Sequence, residues 1–203
     1  MGFCDNQILP RLINLACGLE PIRAQRQKIV PHAAGRILEV GVGTGLNMAF
    51  YNKSKVDVIY GLEPNLKARD LAASRIAGTG LNVDFIGLDG QDIPLGKDAV
   101  DTVVLTYTLC TIPDAVKAVT EMRRVLKPGG RLLFCEHGKA PDAGVARWQD
   151  RITPTWKRLF GGCHLNRDIP GLLQQGGFHI EQQDTAYVTG PKVAGFTYWG
   201  AAG

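Results

Sequence analysis

The chain has no Cys-x-x-Cys pair, no apolar run long enough to cross a bilayer and no block of basic residues. Each absence removes a class of protein. Cys4, Cys17, Cys110, Cys135 and Cys163 are five cysteines, an odd number without the short spacings of a zinc site or a disulfide framework. A reducing compartment, the cytoplasm, is therefore expected, and no metal. The N-terminal stretch ILPRLINLACGL is broken by Pro10, Arg11 and Asn14, so it reads as neither a signal segment nor a membrane span, and any membrane contact is expected to be weak and peripheral. Basic residues exceed acidic ones by only 23 to 19, and the densest cluster, EMRRVLK, alternates with apolar residues, which argues against a nucleic-acid partner. With 45% hydrophobic and 21% charged residues in 203, the composition suits one soluble domain with a full core.

Strand-like runs alternate with helix-like stretches from residue 36 onward: RILEV, VDVIYGL, VDFIGL, DTVVLTYTL and RLLFCEH, with NLKARDLAASRIA and DAVKAVTEMRRVL among the connections. This alternation predicts an α/β fold with a doubly wound, mostly parallel sheet. Val116, Val119, Met122, Val125 and Leu126 recur at helical steps, and Pro128, Gly129 and Gly130 stop that helix. The C-terminal stretch from Phe178 reads as two further strands, an antiparallel pair that brings the count to seven. Two segments fall outside the pattern: residues 1 to about 34, expected to form one or two amphipathic helices serving as a lid, and residues 138 to 177, expected to be a helical insertion capping the substrate. In the insertion Val145, Trp148, Ile152, Trp156 and Leu159 share a helical face, with Pro154 expected to kink or interrupt it.

The segment LEVGVGTGLN turns sharply after the first strand. A dinucleotide fingerprint needs G-x-G-x-x-G, but glycines stand at 41, 43 and 45 and Leu46 takes the third position. The one Tyr-x-x-x-Lys match, Tyr51 with Lys55, lies too close to the loop to be a distant catalytic pair, so an oxidoreductase is disfavoured. Glu39 puts a carboxylate beside the loop, where a phosphate is repelled and an ammonium or sulfonium is welcome. Glu63, at the end of the second strand, has the type and spacing of a ribose-hydroxyl acceptor. Asp89, with Gly90 and Gln91 after it, can meet the exocyclic amine and a ring nitrogen of adenine. Their order at the ends of strands one, two and three marks a ligand crevice.

From ILEVGVGTG through GLEPN, LDGQDIP, DTVVLTYTLCTIPD and RRVLKPGGRLLFCEH the sequence resembles the class I S-adenosylmethionine-dependent methyltransferases. The resemblance covers most of residues 35 to 200. It implies S-adenosylmethionine as cofactor, S-adenosylhomocysteine as product, the glycine loop under the methionine part, Glu63 on ribose and Asp89 to Gln91 along adenine. Thr106 to Thr108 would face the methionine moiety and methyl group. Thr44 and Asn47 in the loop, and Pro64 and Asn65 after Glu63, complete the expected cofactor set. The tail RWQDRITPTWKRLFGGCHLNRD is similar to that of a narrower group, the animal microsomal alkyl-thiol S-methyltransferases and, more distantly, the ubiquinone-pathway methyltransferases. A small-molecule thiol acceptor is the first expectation. O- or C-methylation of a phenol, quinol or lipid-like metabolite is the second, and a non-catalytic cofactor-binding platform the third. The hydrophobic anchor of the animal enzymes has no counterpart here, so membrane residence is not expected. Asn/Asp-Pro-Pro-Tyr/Phe, common in nucleic-acid amino-methyltransferases, is absent after strand four.

In-line methyl transfer requires the acceptor atom about 3 to 3.5 Å from the methyl carbon and water excluded. A thiol must also ionise, and its ordinary pKa of about 8.5 makes a neighbouring base useful. His137, oriented by Glu136, is the candidate base; the alternative is a histidine hydrogen-bonded to loop backbone. Asn166, Arg167 and Asp168 either close over the substrate or cap the helix beginning near Ile169. Trp148 and Trp156 either wall an acceptor pocket or pack the insertion onto the core. Thr108 and Cys163 complete the expected substrate contacts.

Overall fold

Successive side chains of a strand point to opposite faces, and the apolar residues of the central strands sort by that rule. In the computed structural model, which describes residues 14, 17–87, 90–188 and 190–203, seven strands form one sheet. They are β1 Gly35–Val40, β2 Val56–Leu62, β3 Val83–Gly87, β4 Val100–Thr106, β5 Leu126–His137, β6 Ile180–Tyr187 and β7 Phe196–Ala202. Their order is β3-β2-β1-β4-β5-β7-β6. The first five strands pair in parallel and β7 runs antiparallel between β5 and β6, as the alternation of elements predicts.

Leu38, Val40, Val103, Leu105, Leu132 and Phe134 face one side. They pack there against α3 (Ala115–Val125) and α5 (Ile169–Gln175) through Val119, Met122, Val125, Ile169 and Leu173. Ile37, Val104, Leu133 and Cys135 face the other side, against Ile29 and Val30 at the end of α1 (Glu20–Ile29) and Ala72 of α2 (Leu66–Ala77). Each fully buried Leu, Met or Phe contributes about 1.5–3 kcal/mol. In α3 the buried stripe runs through Ala115 and Ala118, with Val116 only half-buried, and Asp114 caps the helix by accepting from Lys117 N–H (3.0 Å). Pro128 to Gly130 fall in a register break of β5 against β4, between the Val100–Leu126 and Thr102–Arg131 pairs. The expected turn therefore survives as an irregularity inside a longer strand.

Two expectations about the insertion fail. α4 (Ala143–Leu159) runs through Pro154 unbroken, and its buried side carries Gln149 and Thr153. Trp148 is 56% exposed and Leu159 66%, while Val145, Ile152 and Trp156 are half-buried, so the apolar face read from the sequence turns inward only in part. The helix lies on irregular backbone whose polar groups need partners. Gln149 supplies them, accepting from Ala140 N–H and donating to the carbonyls of Gly138 and Val193. Pro154 lies on the exposed side together with Asp150, whose carbonyl it leaves without an intrahelical donor but open to water. A short helix, α6 (Lys192–Gly195), stands between β6 and β7.

A proline inside a helix costs up to about 3 kcal/mol, and Pro154 has no packing role that offsets this. Pro154→Ala is expected to raise unfolding stability by about 1–3 kcal/mol, read as a higher urea midpoint; an unchanged midpoint would show that the helix already accommodates the ring without cost.

Candidate active site

The glycine loop leaves β1 with Gly41, Gly43 and Gly45 all at positive φ, a conformation that side chains disfavour. A Cβ on Gly41 would stand 2.3 Å from Thr108 Oγ1, whereas one on Gly43 would meet nothing within 4 Å. The loop is thus clamped against the end of β4 at its first glycine and bare to open space at its second. Gly45 lets the loop approach Ala72 of α2. Gly43 N–H donates to Glu63 Oε2 (2.7 Å) and Asn65 N–H to Glu63 Oε1 (2.8 Å), so the Glu63 carboxylate is aimed along the loop. Burial raises its pKa above the usual carboxylate range. Asn65 also caps α2 through Ala68 N–H, and Pro64 beside it is exposed. Thr44 is buried, its carbonyl accepting from Arg75.

Beneath the loop lies a buried polar network that sequence reading found only in part. Asn47 Nδ2 donates to Glu39 Oε1 (3.0 Å) and to Thr106 Oγ1 (2.9 Å), and Tyr51 OH donates to Glu39 Oε2 (2.7 Å). Arg26, from α1, donates to Asn47 Oδ1 (2.9 Å) and Thr106 Oγ1 (2.6 Å). It is the one buried Lys or Arg among the described residues, and its guanidinium lies over the Tyr107 ring. Glu39 is therefore held from below by Asn47 and Tyr51 and does not stand open beside the loop. Burial carries its pKa from 4.5 to about 7. An arginine in an amphipathic helix normally reads as surface, and its neighbours in sequence gave no sign that Arg26 points inward.

The third group gathers where β4 and β5 end. Glu136 is fully buried, and its Oε1 accepts from Thr108 N–H (2.7 Å) and Leu109 N–H (3.2 Å). Just before them Tyr107 sits at φ +52°, a strained conformation for a bulky residue. Glu136 thus shapes the turn after β4 and makes no hydrogen bond to His137, which corrects the expected orienting role. His137 stacks near Tyr107. Its Nε2 lies 3.4 Å from Cys163 Sγ, and its Nδ1 is buried without a partner. The alternative of a histidine tied to loop backbone is therefore not what the fold builds. Cys110 completes the group: Sγ of Cys110, a ring nitrogen of His137 and Sγ of Cys163 lie within 4.8 Å of one another. Hydrogen bonding from Cys110 and the adjacent imidazole lower the Cys163 pKa, while the Cys110 thiol is held well above its ordinary value. Burial disfavours the imidazolium, but Cys163 beside it raises the His137 pKa overall.

Other expected residues take structural positions. Asp168 is exposed and caps α5 by accepting from Gly171 N–H (3.2 Å), the capping alternative that the sequence allowed. Asn166 donates to Asp150 at the surface. Arg167 binds the carbonyls of Leu109 and Ile112, fixing the loop after β4. Trp148 remains on the surface, with Arg151 over its ring. Trp156 stacks on Phe160. Gly90 approaches Val40 and Ile112, and Gln91 Oε1 accepts from Asp114 N–H (2.9 Å). Asp89 lies outside the described residues. A cavity of about 640 Å³ opens between α1 and the loop, lined by Cys17, Arg23, Arg26, Leu46, Met48 and Phe50 among others.

Residues 38–134 match the family described as Methyltransferase domain. The chain is 37% identical over 145 residues to thiol S-methyltransferase TMT1B of Rattus norvegicus, covering 70% of this chain and 59% of that protein. It thus spans about three-fifths of that relative's length. It is 31% identical over 169 residues to thiol S-methyltransferase TMT1A of Homo sapiens, covering 79% of this chain and 69% of that protein. Among solved structures it is similar to N-methyltransferase NodS from Bradyrhizobium japonicum WM9 in complex with S-adenosyl-L-homocysteine. The TM-score is 0.70 at 14% identity, over 98% of this chain and 97% of that one; at that identity the likeness is one of fold. No helix among the described residues is long and apolar enough to cross a membrane.

The raised pKa of Glu39 has a thermodynamic consequence. Burial is the main cause, with Glu63 adding to it and Arg26, Tyr51 and Asn47 opposing. Between pH 4.5 and about 7 the folded protein keeps a proton at Glu39 that the unfolded chain has lost, so stability falls as pH rises through that window and levels off above it. Glu39→Gln is expected to remove a fall of about 2–3 kcal/mol from the pH profile of urea unfolding. Superimposable wild-type and variant slopes would show that Glu39 is ionised throughout.

Proposed function

The chain belongs to the S-adenosylmethionine-dependent methyltransferases, and from that membership we propose that it methylates the sulfur of a small thiol. What carries the reading is the placement of His137 Nε2, 3.4 Å from Cys163 Sγ, just past the ends of β4 and β5 and beside the Thr106 to Thr108 segment. The contact seats a sulfur against an imidazole. The thiol S-methyltransferase relatives support the same acceptor class.

The residues present fit the cofactor. Gly43 offers bare backbone to open space, and the Glu63 carboxylate, held by Gly43 and Asn65 N–H groups, retains acceptor capacity for ribose hydroxyls. Arg26 brings a positive group beneath the loop, matching the carboxylate of an amino-acid moiety, while Glu39 is engaged by Asn47 and Tyr51. When bound, S-adenosylmethionine supplies a methyl group activated by its sulfonium. The rest of the task is positional: Glu136 holds the turn that carries Thr108, α1 and the insertion limit access of water as lid and cap, and the group around His137 is where an acceptor thiol loses its proton. Methyl transfer of this kind needs little covalent machinery. The free cysteines Cys17, Cys110, Cys135 and Cys163 suit a reducing cytoplasm.

Incubation with S-adenosylmethionine and a panel of thiols, phenols, quinols and amines is expected to release S-adenosylhomocysteine with thiols; turnover confined to quinols would move the acceptor to oxygen or carbon, and binding without turnover on any acceptor would favour a cofactor-binding platform. Glu63→Ala should weaken S-adenosylhomocysteine affinity in calorimetry by about 1–3 kcal/mol, and an unchanged affinity removes Glu63 from the site. His137→Ala should slow thiol methylation by roughly 10²-fold or more near neutral pH and much less near pH 9, where the acceptor ionises unaided. An equal loss at both values would exclude a role for His137 in deprotonation.

A further inference from the structure

Cys110, His137 and Cys163 come from three separate parts of the fold: the loop after β4, the last residue of β5 and the loop between α4 and α5. Nothing in their spacing brings them together, yet their donor atoms converge within 4.8 Å. Tetrahedral zinc, with Zn–S of about 2.3 Å and Zn–N of about 2.0–2.1 Å, sets its ligand atoms roughly 3.5–3.8 Å apart. The 3.4 Å between His137 Nε2 and Cys163 Sγ is close to that span, and the remaining pairs, no more than 4.8 Å apart, need to close by at most about 1.3 Å to reach it. Two thiols and an imidazole are soft and borderline donors that favour zinc over magnesium or calcium.

The surroundings hold unmet polar capacity. Glu136 Oε2, His137 Nδ1 and Trp156 Nε1 are buried without partners, and Trp156 and Arg167 both lie close enough to Cys163 to act on its charge. Such groups are what surrounds a charged centre and tunes it.

We infer that Cys110, His137 and Cys163 form a three-ligand zinc site whose fourth position takes the sulfur of the acceptor thiol. This deepens the thiol-methylating reading and rests on it. On binding, the two cysteine thiols release their protons to solvent and the imidazole coordinates as the neutral ring, so that Zn²⁺ with two thiolates is electrically neutral. An acceptor R–SH then gives its proton to solvent and binds as R–S⁻, leaving one negative charge that the Arg167 guanidinium partly offsets. Three protein ligands and one exchangeable position is the arrangement of a catalytic zinc, and a metal-bound thiol ionises at neutral pH. The acceptor sulfur would be held as a thiolate beside Thr108, with Cys110 two residues along the same loop fixing its direction.

The test uses the full chain, reduced and stripped with chelator, then titrated with Co²⁺ as a spectroscopic probe and with Zn²⁺. Expected are one ion per chain, a thiolate-to-cobalt charge-transfer band abolished by zinc, and a change in that band when a small aliphatic thiol is added. Cys110→Ser and Cys163→Ser should each weaken binding by more than the roughly 10–100-fold typical of an outer partner's loss, whereas Cys135→Ala leaves it intact. Circular dichroism of the Cys163→Ser protein separates lost ligation from lost folding. Cobalt binding without the charge-transfer band, undiminished binding in both serine variants, or thiol methylation equally fast in stripped and zinc-loaded protein would overturn the inference. A protein that shows the band but methylates no thiol would instead overturn the acceptor reading and the role of the fourth position, leaving the three-ligand site standing.

Discussion

The arrangement of the site depends on one buried carboxylate. Glu136 reaches across from β5 to two consecutive backbone N–H groups, those of Thr108 and Leu109. A buried polar group without such partners costs several kcal/mol, and a backbone N–H without an acceptor costs a similar amount, so the carboxylate and the turn satisfy each other. This exchange holds Tyr107 at a positive φ that its side chain disfavours. Once the turn is fixed, Thr108 presses against Gly41 and Cys110 is delivered to the group around His137. The strain at Tyr107 is offset by its surroundings: its N–H donates to the Cys135 carbonyl, and Arg26 lies over its ring.

A second constraint follows from strand alternation. Ile37, Val104, Leu133 and Cys135 face α1, and by the same period of two Glu39, Thr106 and His137 point to that side at their strands' ends. The polar groups of three adjacent strands thus converge under one helix, where Arg26 meets Thr106 and Asn47. A guanidinium buried in this way needs hydrogen-bonded partners. The neutral amide of Asn47 and the hydroxyl of Thr106 serve it directly, and Glu39 supplies opposite charge one bond further on. The amphipathic helix read from the sequence is therefore more than a cover. It contributes a buried positive charge, Arg26, beneath the glycine loop.

The sheet was legible because its strands are short, β-branched and separated by capped helices, and each of those signals is local. The meeting of the glycine loop with Glu63 was legible for a related reason: Gly41, Gly43, Gly45 and Glu63 carry their meaning in spacing along the chain, and parallel topology alone brings their strand ends together. What failed was orientation. The helical face through Trp148, Ile152 and Leu159 looked apolar, and apolar faces usually turn inward. Here the neighbour is backbone with unmet hydrogen bonds, so Gln149 and Thr153 face it while Trp148 and Leu159 stay exposed and Ile152 is only half-buried. Asp168 shows the same limit on a smaller scale, since a carboxylate before a helix can cap or catalyse and only the accepted Gly171 N–H decides.

The sulfur and imidazole group shows why site chemistry is harder to read than fold. Rules that find metal or nucleophile sites in a sequence depend on ligands a few residues apart, because a single turn or helix then sets their geometry. Cys110, His137 and Cys163 belong to three elements, and no local rule relates them. Topology does: β4 and β5 are neighbours, so the loop leaving one must pass the end of the other, and Arg167 fastens the insertion to that loop through the carbonyls of Leu109 and Ile112. Given that fastening, Cys163, four residues earlier, has little choice of neighbour. The residues expected to contact substrate thus act in two ways, with Cys163 inside the group and Arg167 as the anchor that holds it there. The position of the site is a property of the sheet order, and its chemical softness is a property of which side chains that order brings to the same edge.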